Sequence, residues 1–155
     1  MLKSVEGNFN DPEVDELLNK HFIELRAASP EGSAHVLDIE GLKVQSIKFW
    51  SLWENKRLFG CGALKFLDND HGEFKSIRIH DNYRNQGKGI KIIDNLISEA
   101  TKLNIKKLSI ETGAGKFFEP ARKLFEKCDF KPCKPFAHYK DDVNSIYLTK
   151  QINNV

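Results

Sequence analysis

The chain of 155 residues carries 40% hydrophobic and 30% charged side chains, with eleven Phe and two Trp, enough for one buried core and too few for two ordinary domains. Its 24 basic residues against 22 acidic ones leave a net charge of +2, which excludes a general nucleic-acid footprint and makes any anion site a local one. No apolar run reaches the roughly 18 residues of a membrane span, and the polar start MLKSVEGNFNDPEVDE is unlike a secretory signal.

A single domain over 1–155 is therefore expected, with no membrane and no nucleic acid among its partners. Cys61, Cys128 and Cys133 lack C-x-x-C spacing, and the five histidines show no ligand spacing. Neither a disulfide framework nor a metal site is indicated, and a reduced cytoplasmic setting is expected.

In chain order, Leu2 to Val5 reads as a short strand. Asn10 or Asp11 caps a helix with Pro12 in its first turn and Val14, Leu17, Leu18, Phe22 and Leu25 on its buried face. The segment after Arg26 holds Pro30, Gly32 and Gly41 and reads as irregular, with at most a helical turn around Ala34 to Asp38. Ile47 to Trp53, Leu58 to Leu67 and Glu73 to Ile79 follow as an antiparallel meander joined by the turns ENKR and DNDHG. Trp50 and Trp53 are read as sharing one face of that hairpin, with core packing the role of at least one. From Gly89 the period changes: Ile90, Ile93, Leu96, Ile97, Ala100 and Leu103 define an amphipathic helix. Lys107 to Glu111 is a strand, Pro120 opens a second helix with Ala121, Leu124, Phe125 and Cys128, and Phe130 to Lys134 and Ser145 to Lys150 close the sheet. The order is β-α-βββ-α-β-α-ββ, an α+β mixture with one parallel crossover through the 89–103 helix.

Between strand and helix lies Arg84-Asn85-Gln86-Gly87-Lys88-Gly89, a basic glycine turn of the kind that holds an anion. The dinucleotide fingerprint G-x-G-x-x-G fails here, because Gly87-Lys88-Gly89 is followed by Ile90-Lys91-Ile92. A phosphate loop of the form G-x-x-x-x-G-K-S/T fails too, with Asn82 at the first glycine and Gly89 at the hydroxyl position.

The turn instead resembles motif A, Gln/Arg-x-x-Gly-x-Gly/Ala, of the GCN5-related N-acetyltransferase (GNAT) family, and the succession of elements is similar to that family over nearly the whole chain. FWSLWENKRLFGCGALKFLDNDHGEFKSIRIH, LSIETGAGKFFEPARKLF and FKPCKPFAHYKDDVNSIYLT resemble its small bacterial YsnE-type branch. The resemblance implies a central, mostly antiparallel mixed sheet of six to seven strands, splayed between the fourth and fifth and flanked by about four helices. It implies acetyl-CoA as co-substrate, with the pyrophosphate on Arg84, Asn85, Gln86, Gly87, Lys88 and Gly89. The pantetheine arm would lie on backbone groups of Ile77, Arg78 and Ile79.

The implied activity is acetyl transfer to the amine of a small molecule, in a monomer or homodimer. A non-catalytic acyl-CoA-binding module and a protein or peptide acetyltransferase are the alternatives. An alkylammonium has a pKa of about 10.4, so a carboxylate base helps; Glu73 is the first candidate and Glu111 the second. The family's last helix often carries an Asn and a Tyr that Phe118 and Phe125 replace here, which leaves Tyr139, Cys128 or water to protonate the thiolate. On the acceptor side Arg26, His35 and Trp50 are expected, with Ser29 and Tyr139 beside them. Arg26 would suit an amino-acid-like or acidic acceptor.

Overall fold

The computed structural model describes residues 2–30 and 37–152. β1 (Lys3–Glu6) leads into α1 (Pro12–Ala28), which Asp11 caps by accepting from the Glu13 N–H at 2.8 Å. α2 (Ile39–Leu42) is a single turn capped by Asp38, so the helix begins beyond the 34–38 position expected from the sequence, where residues 34–36 lie outside the described ones. The meander β2 (Ile47–Glu54), β3 (Arg57–Phe66) and β4 (His71–Ile79) is followed by α3 (Gly89–Lys102) and β5 (Lys107–Gly113). α4 (Glu119–Lys127), β6 (Lys131–Pro132) and β7 (Ser145–Gln151) complete the order. β6 is shorter than the expected 130–134 strand because Pro132 has no N–H for a ladder.

The seven described strands form one sheet in the order β1-β2-β3-β4-β5-β7-β6, antiparallel throughout except for β4 beside β5. Each face carries its own apolar cluster. Ile92, Ile93 and Leu96 of α3 and Phe125 of α4 close over Leu52, Phe59, Leu64 and Phe74. On the other face Val14, Leu17, Leu18 and Phe22 of α1 meet Phe49, Leu58, Cys61 and Ala63. Each fully buried Leu or Ile of these clusters contributes about 2 kcal/mol, which is what holds the helices to the sheet. Trp50 belongs to the first cluster and Trp53 packs against the second, so the two rings stand on opposite faces. They are three residues apart in a strand of period two, and that odd spacing overrides the expectation of a shared face.

The sheet opens in its middle. β4 and β5 pair only at His71–Lys107, Gly72–Leu108 and Glu73–Ser109. Beyond that register β4 stays with β3 and β5 stays with β7, leaving a V between Phe74–Ile79 and Ile110–Gly113. A bulge marks the divergence: Cys61 opposes Arg78 and Ala63 opposes Lys75, so two steps on β3 face three on β4. Ser76 sits at the bulge with φ of +54°, in the left-handed region.

Close approach explains Gly60 and Gly62 in β3. A Cβ on Gly60 would lie 2.4 Å from the Arg78 carbonyl oxygen, and one on Gly62 would lie 2.3 Å from the Leu96 Cδ1. The first obstacle is backbone and the second is a side-chain end that can turn away. Gly60→Ala is expected to lower unfolding free energy by about 2–3 kcal/mol and Gly62→Ala by less, read from urea midpoints at unchanged slope.

Candidate active site

The V opens onto a cleft of about 630 Å³, floored by the start of α3 and walled by α1 on one side and α4 on the other. Glu73 stands at its closed end, at the last register where β4 and β5 touch. The residue is 1% exposed. Its Oε2 accepts from the Tyr139 hydroxyl at 2.6 Å and lies 3.3 Å from the Lys75 ammonium, which also donates to the Tyr139 oxygen at 3.0 Å. Its Oε1 is buried and has no hydrogen-bond partner. Burial, together with the charge and hydrogen bond of Glu73, pushes the Tyr139 phenol well above its ordinary range. Tyr139 therefore stays protonated and acts as a fixed donor to the carboxylate. It packs on Phe136 and Tyr147, behind Glu73 as seen from the cleft.

At the other end the chain leaves β4, makes a short 3-10 turn at Asp81–Tyr83 and enters α3. Asn85 and Gly87 both have positive φ, +59° and +69°, which folds the turn back on itself. No atom lies within 4 Å of where a Cβ on Gly87 would sit, so the backbone there faces open space. The N-cap position of α3 is Lys88, without a side-chain cap, and no acidic residue occupies the first turn. Lys91 N–H turns back to the Lys88 carbonyl at 3.1 Å, and the N–H groups of Gly89 and Ile90, ahead of it in this 14-residue helix, are left without a side-chain cap, with Arg84 and Lys88 lining the same place. The residues present fit a pyrophosphate. Gly89 has a different role: a Cβ there would meet Leu124 at 2.8 Å, so the glycine lets α3 approach α4.

Along α1 a third group faces the cleft. His21 is 5% exposed, and neither ring nitrogen has a partner. Burial, with Arg78 nearby, lowers its pKa to about 4 and keeps the imidazole neutral at ordinary pH. The Arg78 guanidinium is taken up by Glu24, at 2.9 and 3.2 Å, and by Asp81 at 3.1 Å. Asp81 is also held by Lys20 of α1, and that hydrogen bond is the main reason its pKa lies below the usual carboxylate value.

The expected site residues are distributed as follows. Glu73, Glu111, Ile77, Arg78, Ile79, Arg84, Asn85, Gly87, Lys88 and Gly89 all line the one cleft. Gln86 is exposed in the same turn, does not line the cleft, and donates to the Asn82 carbonyl. Glu111 accepts from the Ser145 hydroxyl at 2.7 Å. Phe118 and Phe125 form the apolar wall on the α4 side. Two acceptor-side expectations are corrected. Trp50 is 3% exposed in the core beneath α3, on the face away from α1. Arg26 is exposed on α1, off the stripe that faces the sheet, and does not line the cleft. His35 lies outside the described residues. His21, Lys75 and Ser76 were not anticipated. His21 falls on the helical stripe of Leu17, Leu18 and Phe22, and that spacing is the signal that points to it.

Among the described residues no group of three or more His, Cys, Asp or Glu could hold a metal ion, and no helix is long and apolar enough to cross a membrane. Residues 12–130 match the profile of the Acetyltransferase (GNAT) family. A Bacillus subtilis (strain 168) protein described as an uncharacterized N-acetyltransferase, YsnE, is 44% identical over 140 residues, covering 90% of this chain and 93% of its own. A proposed acyl-CoA N-acyltransferase from Klebsiella pneumoniae superposes with a TM-score of 0.78 at 22% identity, over 97% of each chain. A GNAT family acetyltransferase from Elizabethkingia anophelis, crystallised with acetyl-CoA bound, superposes with a TM-score of 0.69 at 20% identity over 97% and 98% of the two chains. At these identities the two structures speak for the fold.

The buried neutral His21 has a measurable consequence. Its pKa falls from an unfolded value of about 6.5 to about 4, so the unfolded chain takes up the proton first as pH drops. The stability present above pH 6.5 is lost between about pH 6.5 and 4, by about 3 kcal/mol from this one group. Urea unfolding of His21→Leu across that window should show a correspondingly shallower fall than the parent protein.

Proposed function

The chain belongs to the acetyltransferase (GNAT) family and is an acyltransferase; from that premise we propose that it transfers the acetyl group of acetyl-CoA to the amine of a small molecule by direct attack on the thioester. The observation that carries this reading is the single cleft with an uncapped helix N-terminus and glycine turn at one end and an unpartnered buried carboxylate oxygen at the other. Acetyl-CoA supplies the activated acyl group. Binding of acetyl-CoA by the Elizabethkingia relative supports its place here.

Arg84 to Gly89 would hold the pyrophosphate through the open backbone at Gly87, the first N–H groups of α3 and the charges of Arg84 and Lys88. The backbone of Ile77, Arg78 and Ile79, which has no β5 partner, would take the pantetheine amides as a sheet edge takes a strand. Phe118 and Phe125 keep water from the thioester. Glu73 receives the ammonium proton on its free Oε1, while Tyr139 and Lys75 fix Oε2 so that the carboxylate cannot turn away. Tyr139 is accordingly a positioning residue for the base. Glu111, tied to Ser145, lies farther along the V and shapes the field there.

Phe125 at the family's tyrosine position is the observation favouring the second reading, a module that binds acyl-CoA without turnover. Two measurements separate these. Acetyl-CoA at about 100 times its Kd should stabilise the protein by about 2.7 kcal/mol in a thermal-shift titration, and no shift overturns both readings. In a thiol-release screen over small amines, Glu73→Gln should lower kcat by about 10²–10⁴ with the acetyl-CoA shift retained. An unchanged kcat in that variant removes Glu73 as the base, and release with no amine tested favours the binding module.

A further inference from the structure

Resting on the reading of the cleft as an acetyl-transfer site, we infer that its α1 side is the acceptor site and that His21 and Ser76 recognise an uncharged hydrogen-bonding group, a carboxamide above all, beside the amine presented to Glu73. Among the described residues only five buried side-chain polar atoms lack a partner: both nitrogens of His21, the Ser76 hydroxyl, Glu73 Oε1 and Asn95 Oδ1. Four of the five belong to residues that line this one cleft. Buried polar groups are otherwise nearly always satisfied, so such a cluster marks where a ligand completes the bonding.

Ser76 adds an independent sign. A serine at φ +54° inside a strand is strained where glycine would not be, and the bulge that strains it lies in the cleft lining, with its hydroxyl buried and unpartnered. Nothing in the packing of β3 on β4 asks for that hydroxyl.

The chemistry of the group follows from the donors and acceptors on offer. A neutral imidazole gives one donor and one acceptor, and a hydroxyl gives both as well. A carboxamide has both to return, whereas a carboxylate only accepts. A carboxylate would also face Glu73, and both cations that line this part of the cleft already face carboxylates: Arg78 is bound by Glu24 and Asp81, and Lys75 lies on Glu73 and Tyr139. Leu25 and Leu37 supply apolar surface for the rest of the acceptor. The site thus selects amines with a neutral polar neighbour and works against free amino acids, the reverse of what Arg26 suggests from the sequence.

The test uses three matched sets: glycinamide, alaninamide and leucinamide, each with its free acid and with the corresponding amine lacking the carboxamide. Binding to the full chain is measured by calorimetry with and without CoA, so the ranking does not depend on turnover. At least one carboxamide should bind ten or more times tighter than both counterparts. His21→Leu should remove most of that difference. Ser76→Gly should also weaken carboxamide binding while leaving thermal stability equal or higher, because glycine accepts the positive φ; a purely structural serine would not give that combination. If no carboxamide outbinds its acid and its bare amine, or if both variants keep the preference, the inference is overturned. Loss of the acetyl-CoA thermal shift in the parent protein, by contrast, overturns the coenzyme reading while the acceptor ranking still stands or falls by itself.

Discussion

The parting of β4 from β5 after Glu73 is the constraint from which the site follows. A sheet normally exposes unpaired backbone groups only at its outer edges, and this one exposes two such edges in its middle. The unpaired groups of β4 between Phe74 and Ile79 need partners from somewhere, and the cleft they border is lined by apolar side chains such as Phe118, Leu124 and Phe125 beside its polar ones. The bulge at Ser76 falls where β4 has parted from β5, and the same few residues, Lys75, Ser76 and Arg78, bring polar groups into the cleft lining. Both clusters of the core are needed to hold this opening. α3 and α4 pin one face of the sheet on either side of the V, and α1 closes the other through its own apolar stripe and through the clamp of Arg78 on Glu24.

Charge is distributed to match. A net charge of +2 says little about a site, because what counts is which cations already have partners. Arg78 is buried and bound by two carboxylates, so its role is to tie β4 to α1 and to the turn at Asp81. Arg84 lies 3.6 Å from the same Asp81 but half exposed, and Lys88 sits over the Tyr83 ring at the mouth of the turn. Their charge is screened by solvent yet adds to the open N-terminus of α3, which no acidic side chain offsets. The open helix N-terminus with Arg84 and Lys88 thus lies at one end of the cleft and the Glu73–Lys75 pair at the other, an asymmetry that suits a ligand with an anionic head at the α3 end.

Much of this was legible in the sequence, and the limits are physical ones. The meander and α3 follow from apolar periods of two and 3.6, which are local properties. The glycine turn was readable because its basic residues and glycines are contiguous. What the pattern could not carry was the third dimension. Tyr139 meets Glu73 across 66 positions and Lys75 meets Tyr139 across 64, contacts set by how the loop before β7 folds back over β4. Arg26 and Trp50 were plausible as chemistry and wrong in place, because a single residue step along a helix or a strand decides which face a side chain serves. His21 stood on the apolar stripe in plain view, but that it lacks a partner is a tertiary fact. The left-handed Ser76 is likewise imposed by register and not by its own preference.

The uneven equipment of the two ends of the reaction has a reason in magnitudes. Freeing an alkylamine with a pKa of about 10.4 at pH 7 costs about 5 kcal/mol, while the thiol of the leaving group, with a pKa of about 8.5, departs as an anion only about 2 kcal/mol uphill of its protonated form. A base therefore relieves more than an acid does. On the proposed reading, the buried Glu73 carboxylate and the two donors that hold it serve the amine, while an apolar Phe125 stands where the family's tyrosine acid would serve the thiolate. Phe125 packs with Phe130 against the sheet, so the same substitution also adds to the wall that keeps water out. On this accounting the absence of the tyrosine is compatible with catalysis, and the unpartnered groups of His21 and Ser76 line the part of the cleft proposed for the acceptor.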